Sequence, residues 1–276
     1  MIRLIASDLD GTLCNENHCL DEKTVNYLKK LAGRRIEFIL ASGRAMELIE
    51  PLFAKYDFRC GVIALNGALV YDAEGKTFWR KAMDRTQAKA LTDWIRRQGL
   101  LGIAVMEKGN WCSDPKAYQK RMEAIVKGMT DPVLFAEEHG FLTLTKTPFE
   151  ELGDCYKIEI YSPLRSLMDT LQRTTEFKVS MTGKDVIEIT DGAASKGAAL
   201  KQICDQRRLK NQEVLCFGDS ENDLEMLEAF RYGHIMRNAE ERLQAQINHI
   251  APANTAYGVL RVIENYTGIA LQEEEE

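Results

Sequence analysis

Two aspartates one residue apart, Asp8 and Asp10, stand where the short apolar run Leu4-Ile5-Ala6-Ser7 gives out, and Gly11 and Thr12 follow them. Neighbouring carboxylates repel, and a divalent cation relieves that repulsion. Hard oxygen ligands that leave water on the metal suit Mg2+ when the other partner is a phosphate. Ser42-Gly43-Arg44 ends a second apolar run, where a hydroxyl and the N–H groups of a helix start can hold phosphoryl oxygens. Ser195-Lys196-Gly197 puts an ammonium at the head of a helical stretch, an unfavourable place for a cation unless an anion is present. Gly218-Asp219-Ser220-Glu221-Asn222-Asp223 follows the run Val214-Leu215-Cys216-Phe217 and adds two more carboxylates. Each segment alone has an ordinary reading: an Asp-rich turn, a Ser-Gly loop, a solvated lysine, an N-cap with an acidic first turn. Together they supply a nucleophile, an acid/base, phosphate donors, a cation and metal ligands, each expected after a strand of one sheet.

The elements that must position them alternate. An apolar strand over 2–7 precedes a helix over 22–32, whose Val25, Leu28, Leu31 and Ala32 recur at helical spacing before Gly33. A strand over 36–41, a helical stretch through about Tyr56 and a strand over 61–65 follow. This β-α-β-α-β order implies the α/β class and a Rossmann-like, doubly wound parallel sheet with ligands at the carboxyl ends of its strands. The texture returns with a strand at 186–190, a helix at 196–206, the strand 214–217 and a helix near 221–229. Between these stretches come helices at 86–98, 115–128 and 164–174, separated by alternating strands such as Phe141-Leu142-Thr143-Leu144 and Lys157-Ile158-Glu159-Ile160. The expected organisation is a core of 1–83 and 184–276 with an inserted α+β domain over 84–183.

Composition narrows the partners. The chain has 276 residues and a net charge of −6, with basic residues interspersed among acids, so the footprint of a nucleic-acid binder is missing. The N-terminal apolar run is too short for a signal-peptide core and no later run spans a bilayer, which predicts a soluble, cytoplasmic protein without a membrane partner. Seven scattered cysteines without a C-x-x-C pair suggest neither a disulfide framework nor a zinc knuckle. Cys14 is read as a buried thiol, with sensitivity to thiol reagents the alternative. His18, His139, His234 and His249 show no metal-ligand spacing and are assigned no role. Trp111, expected in a turn after Gly109-Asn110, is read as packing the insert's own core, with stacking on a substrate ring the alternative. The run Glu273–Glu276 reads as a solvated tail.

In order and in content, the four segments make the chain resemble the haloacid dehalogenase superfamily of phosphohydrolases. The large insert, with Asn66-Gly67-Ala68 before it and Val186-Ile187-Glu188-Ile189 after it, is similar to the Cof-type branch with its α+β cap. The resemblance implies that Asp8 attacks phosphorus to form an aspartyl phosphate, while Asp10 protonates the leaving oxygen and then activates water. It implies phosphate-binding positions at Leu9, Ser42, Gly43, Lys196 and Asn222. It also implies a Mg2+ site of the Asp8 carboxylate, the Asp10 backbone carbonyl and Asp219, supported by Asp223. The implied activity is hydrolysis of a small phosphorylated metabolite, a sugar phosphate or phosphorylated cofactor. A phosphomutase of the same superfamily, a phospho-accepting switch, and an inactive member that binds phosphorylated ligands without turnover are the rival readings. A lid of about a hundred residues suits a hydrolase better than a switch, because it controls water and selects substrate. Three departures from the family pattern stand out: Ser42 where threonine is common, Arg237 where glycine is preferred, and Asn254-Thr255-Ala256-Tyr257 where an acidic run often precedes Gly-Val.

Overall fold

The structure, a computed structural model, describes residues 1–15 and 18–271, so the acidic run Glu273–Glu276 lies outside the described residues. The strands are β1 (Leu4–Ser7), β2 (Glu37–Ala41), β3 (Gly61–Ala64), β4 (Leu69–Tyr71), β5 (Thr77–Arg80), β6 (Gly102–Met106), β7 (Gly109–Cys112), β8 (Cys155–Tyr161), β9 (Lys178–Thr182), β10 (Val186–Thr190), β11 (Val214–Gly218), β12 (Tyr232–Met236) and β13 (His249–Ala251). The helices are α1 (Glu22–Gly33), α2 (Glu50–Tyr56), α3 (Arg85–Arg97), α4 (Pro115–Gly128), α5 (Pro132–Glu138), α6 (Arg165–Thr174), α7 (Lys196–Arg207), α8 (Leu224–Ala229), α9 (Glu241–Gln244) and α10 (Gly258–Thr267).

The larger sheet runs β13-β12-β11-β1-β2-β3-β4-β5, parallel from β13 to β3 and antiparallel at β4 and β5. Strands buried on both faces need apolar residues at every position, and β1 and β11 are buried throughout. Alternate residues serve opposite faces. Ile5 joins Leu28, Phe53 and Ile263 of α1, α2 and α10, whereas Leu4 and Ala6 join Leu200, Met226 and Leu243 of α7, α8 and α9. Helices thus cover both faces, as in a doubly wound α/β fold.

The smaller sheet runs β7-β6-β8-β10-β9, antiparallel throughout. Its outer core gathers Leu91 and Ile95 of α3, Leu171 of α6, and Ile158, Ile160, Ile187 and Ile189 of the sheet. On its other face, Ile103, Val105 and Tyr156 belong to the same apolar cluster as Ile5 and Phe53, so the two sheets share buried surface.

Several sequence-based expectations are corrected. The strand Val186–Thr190 pairs along its whole length with β8 and β9, so it belongs to the smaller sheet and not to the core segment that begins at 184. Its alternation gives the reason: Ile187 and Ile189 fill the smaller sheet's core. The stretch Phe141–Leu144 is no strand; it makes a single bridge, Leu144 to Asn110, and Phe141 is exposed. Trp111 lies on β7 and not in a turn, buried in the outer core under the Arg96 guanidinium, which removes it from any substrate. All seven cysteines are buried, and burial pushes the Cys14 thiol well above its usual range, in keeping with an inert thiol. No described helix is long and apolar enough to cross a membrane.

Candidate active site

Three of the four sequence segments lie at the carboxyl ends of neighbouring parallel strands. Asp8 leaves β1, where its N–H donates to Phe217 C=O of β11 at 3.0 Å, and the turn Leu9–Leu13 closes with Cys14 N–H on Leu9 C=O at 2.8 Å. Ser42 leaves β2 and Asp219 leaves β11. The fourth segment arrives differently: Lys196 opens α7 behind β10, a strand of the smaller sheet, contrary to the expectation that all four follow strands of one sheet. Ser195 caps α7 by accepting from Ala198 N–H at 2.9 Å. Gly67 fixes where that helix start sits: its φ is +99° and a Cβ there would strike the Ser195 carbonyl.

Lys196 is 1 % exposed, and its Nζ reaches Asp8 Oδ1 at 2.6 Å and Asp223 Oδ1 at 2.7 Å. Asp223 also accepts through Oδ2 from Asp219 N–H at 3.1 Å and Ser220 N–H at 3.0 Å, so its carboxylate braces the loop. Asp219 accepts from the Thr12 hydroxyl at 2.7 Å. Oxygens of Asp8, Asp219 and Asp223 lie within 4.8 Å of one another. Three carboxylates thus face one ammonium. Burial pushes the Asp8 carboxyl well up, Lys196 opposes, and Asp223 and Asp219 add to the rise. Asp219 is pushed up to about 6 by burial and by the Asp223 charge. Burial disfavours the Lys196 ammonium, yet Asp223 and Asp8 more than offset this and hold it charged. A hard divalent cation fits this all-oxygen set.

Asp10 is turned away from the cluster. Arg44 grips it with Nε on Oδ2 at 2.9 Å and Nη2 on Oδ1 at 2.5 Å, and His18 Nδ1 stands 3.2 Å from Oδ1. Burial alone would raise the Asp10 carboxyl; the Arg44 guanidinium and the His18 contact outweigh it and hold the group well below the usual carboxylate range. The Arg44 Nη2 also donates to His139 Nε2 at 2.6 Å, and His139 Nδ1 donates to Phe135 C=O at 3.0 Å, which fixes a neutral imidazole.

Among the expected phosphate positions, Ser42 is buried and its hydroxyl accepts from Arg44 N–H at 3.1 Å. Gly43 packs so closely on Asn66 that a Cβ would lie 2.9 Å from Asn66 Oδ1. Leu9 is buried in the turn beside Asp8, and Asn222 donates to Asn66 Oδ1 at 3.0 Å. The departing loops still tie in: Asn238 donates to Gly11 C=O at 2.8 Å and Asn254 to Cys14 C=O at 2.9 Å.

A family model described as haloacid dehalogenase-like hydrolase matches residues 5–263. The chain belongs to that family. It is 26 % identical to the phosphatase YwpJ of Bacillus subtilis (strain 168), over 96 % of this chain and 99 % of that one. It is 28 % identical to the HMP-PP phosphatase of Klebsiella pneumoniae (strain 342), over 91 % of this chain and 89 % of the relative. A solved haloacid dehalogenase-like hydrolase from B. subtilis superposes with a TM-score of 0.82 at 24 % identity, covering 95 % of this chain and 99 % of that one. The chain is a haloacid dehalogenase-type phosphohydrolase of the Cof type. Within the haloacid dehalogenase site, the residues missed from sequence are those around Asp10. Arg44 lies in the segment Ser42-Gly43-Arg44, and nothing in the spacing connects it to His18, which comes from the loop after β1, or to His139, which follows α5.

Proposed function

We propose that the chain is a Mg2+-dependent phosphatase of a small phosphorylated metabolite, working through an aspartyl phosphate on Asp8. The observation that carries this reading is the convergence of Asp8, Asp219 and Asp223 within 4.8 Å with Lys196 between Asp8 and Asp223. Mg2+ would be held by Asp8, the Asp10 carbonyl and Asp219, with Asp223 as a brace, and when bound it offsets charge on the carboxylates and phosphoryl oxygens. Lys196, Ser42, Asn222 and the backbone at Leu9 and Gly43 hold the phosphoryl group.

An Asp8 oxygen attacks phosphorus, and the bond to the leaving oxygen breaks as Asp10 protonates it. Water then gives a proton to Asp10 and attacks the same phosphorus, releasing inorganic phosphate and restoring Asp8. Held in the Arg44 fork, Asp10 is ionised, so proton delivery requires Arg44 to turn toward another acceptor, and an anionic oxygen of the substrate is the competing one. The segment between β5 and α7 acts as the cap that selects the leaving group. The relative named HMP-PP phosphatase supports a small phosphorylated metabolite as the substrate class.

The test is phosphate release from a panel of phosphorylated metabolites with Mg2+ or with a chelator. Turnover that needs Mg2+ and falls at least about a thousandfold in Asp8→Asn, with unchanged circular dichroism, is expected. Normal turnover in Asp8→Asn overturns the reading, and so does a stable phosphoprotein that does not turn over.

A further inference from the structure

The strand segments Lys157-Ile158-Glu159-Ile160 and Ile187-Glu188-Ile189 alternate, and their isoleucines fill the outer core of the smaller sheet. Their charged residues have no part in the mechanism above. They occupy the opposite face, where Glu159 and Glu188 stand directly across from each other in the β8–β10 register. Like charges so placed repel, and Lys157 sits between them. Its Nζ bonds Glu159 Oε1 at 2.8 Å and pairs with Glu188 Oε1, although the side chain is only 2 % exposed. The third donor of this ammonium leaves the smaller sheet altogether and bonds the backbone carbonyl of Gly43 at 2.8 Å.

With three donors on three acceptors, Lys157 is saturated and has none left for a ligand. The carbonyl it holds belongs to the turn Ser42-Gly43-Arg44. Glu188 reaches the same turn from its other side: Oε2 accepts from Thr182 Oγ1 and from Asn66 Nδ2, both at 2.8 Å. Asn66 Oδ1 accepts in turn from Asn222 Nδ2, and the Asn66 N–H donates to Ser42 C=O at 3.1 Å. One chain of polar contacts, buried at Lys157, Glu188 and Asn66, therefore runs from the smaller sheet to Ser42, Gly43 and Asn222.

We propose that Lys157, a residue of the cap, is a positioning residue that seats the Ser42–Arg44 turn for the phosphoryl group by bonding the Gly43 carbonyl while Glu188 anchors Asn66 and, through it, Asn222. The inference rests on the phosphatase reading. It makes cap docking a condition of phosphate binding itself, whatever the leaving group, because the contact is to backbone on the phosphoryl side. A lysine that served only to balance two glutamates would hold the cap together and leave the turn indifferent.

The experiment measures the Mg2+-loaded enzyme with p-nitrophenyl phosphate as substrate and inorganic phosphate as competitive inhibitor. Lys157→Met leaves the buried Glu188 carboxylate facing the half-buried Glu159 and is prone to misfold, so Lys157→Met/Glu188→Gln is made as well, which keeps the cluster's net charge. The expected result is that phosphate inhibition weakens and kcat/KM falls, each by roughly tenfold or more, in whichever of the two folds. Ile95→Val, which loosens the cap's own core without touching the network, should leave phosphate inhibition within about twofold of the parent. Unchanged phosphate inhibition in a folded Lys157 variant overturns the inference, as does equal weakening in Ile95→Val. An inactive parent enzyme overturns the phosphatase reading and this inference with it, whereas an active parent with indifferent Lys157 variants overturns this inference alone.

Discussion

His234 shows what a buried imidazole does to pH behaviour. It lies on β12, stacked on His249 at 4.9 Å between ring centroids, with Nδ1 3.0 Å from the Tyr232 carbonyl. Burial pushes it from an ordinary 6.5 down to about 4, only partly opposed by the Tyr232 contact and reinforced by His249. His139 is lowered to about 4 as well, by burial and then by the Arg44 charge. Both are neutral when folded, so above pH 6.5 neither opposes folding. As pH falls from 6.5 toward 4 the unfolded chain takes up protons that the folded chain refuses, and stability is lost. Urea unfolding of His234→Gln should lose up to about 2 kcal/mol less than the parent between about pH 7 and about pH 5; parallel losses would place the imidazole outside the linkage.

The short helix α5 packs against α2 beside the Asp10 fork. Glu138, at its end, is fully buried and accepts from Leu20 N–H at 2.9 Å and the Tyr56 hydroxyl at 2.6 Å, with Lys55 Nζ at 3.3 Å. Glu138→Ala strands these donors and should lower the unfolding free energy by about 3 kcal/mol, read from denaturant curves; a change within error would mean that the helix carries no docking energy. This element was not legible in the sequence, because a seven-residue helix with exposed Val133 offers too little periodicity. Likewise Phe141–Leu144 alternates as a strand should, yet its own backbone bonds elsewhere: Thr143 N–H donates to the Glu47 carboxylate at 3.0 Å. What could be read was what repeats locally, namely the parallel strands β1, β2, β3 and β11 and the polar segments at three of their ends. The strand 186–190 is legible as a strand, but its own pattern does not show which sheet it joins, since its pairing partners lie elsewhere in the chain. The grip of Arg44 on Asp10 is of the same kind, a contact across 34 positions that only folding creates.

At the scale of the whole molecule, two sheets meet over one polar cleft, and the carboxylates there destabilise the fold unless something offsets them. Saturating Mg2+, at about a hundredfold over its Kd, should add roughly 2.7 kcal/mol to stability and raise the melting temperature by several degrees. The rise should vanish with a chelator and in Asp219→Asn; calorimetry that finds the same melting temperature in all three conditions removes the cation from this cleft. A further property follows from the seven buried cysteines, which are shared between the halves: Cys216 within the larger sheet, Cys112 and Cys155 within the smaller. Burial pushes the Cys155 thiol up to about 12, so it is unreactive while packed. Alkylation by an added reagent therefore keeps time with opening of the chain, and the order in which peptides from the two halves acquire label gives each half its own clock.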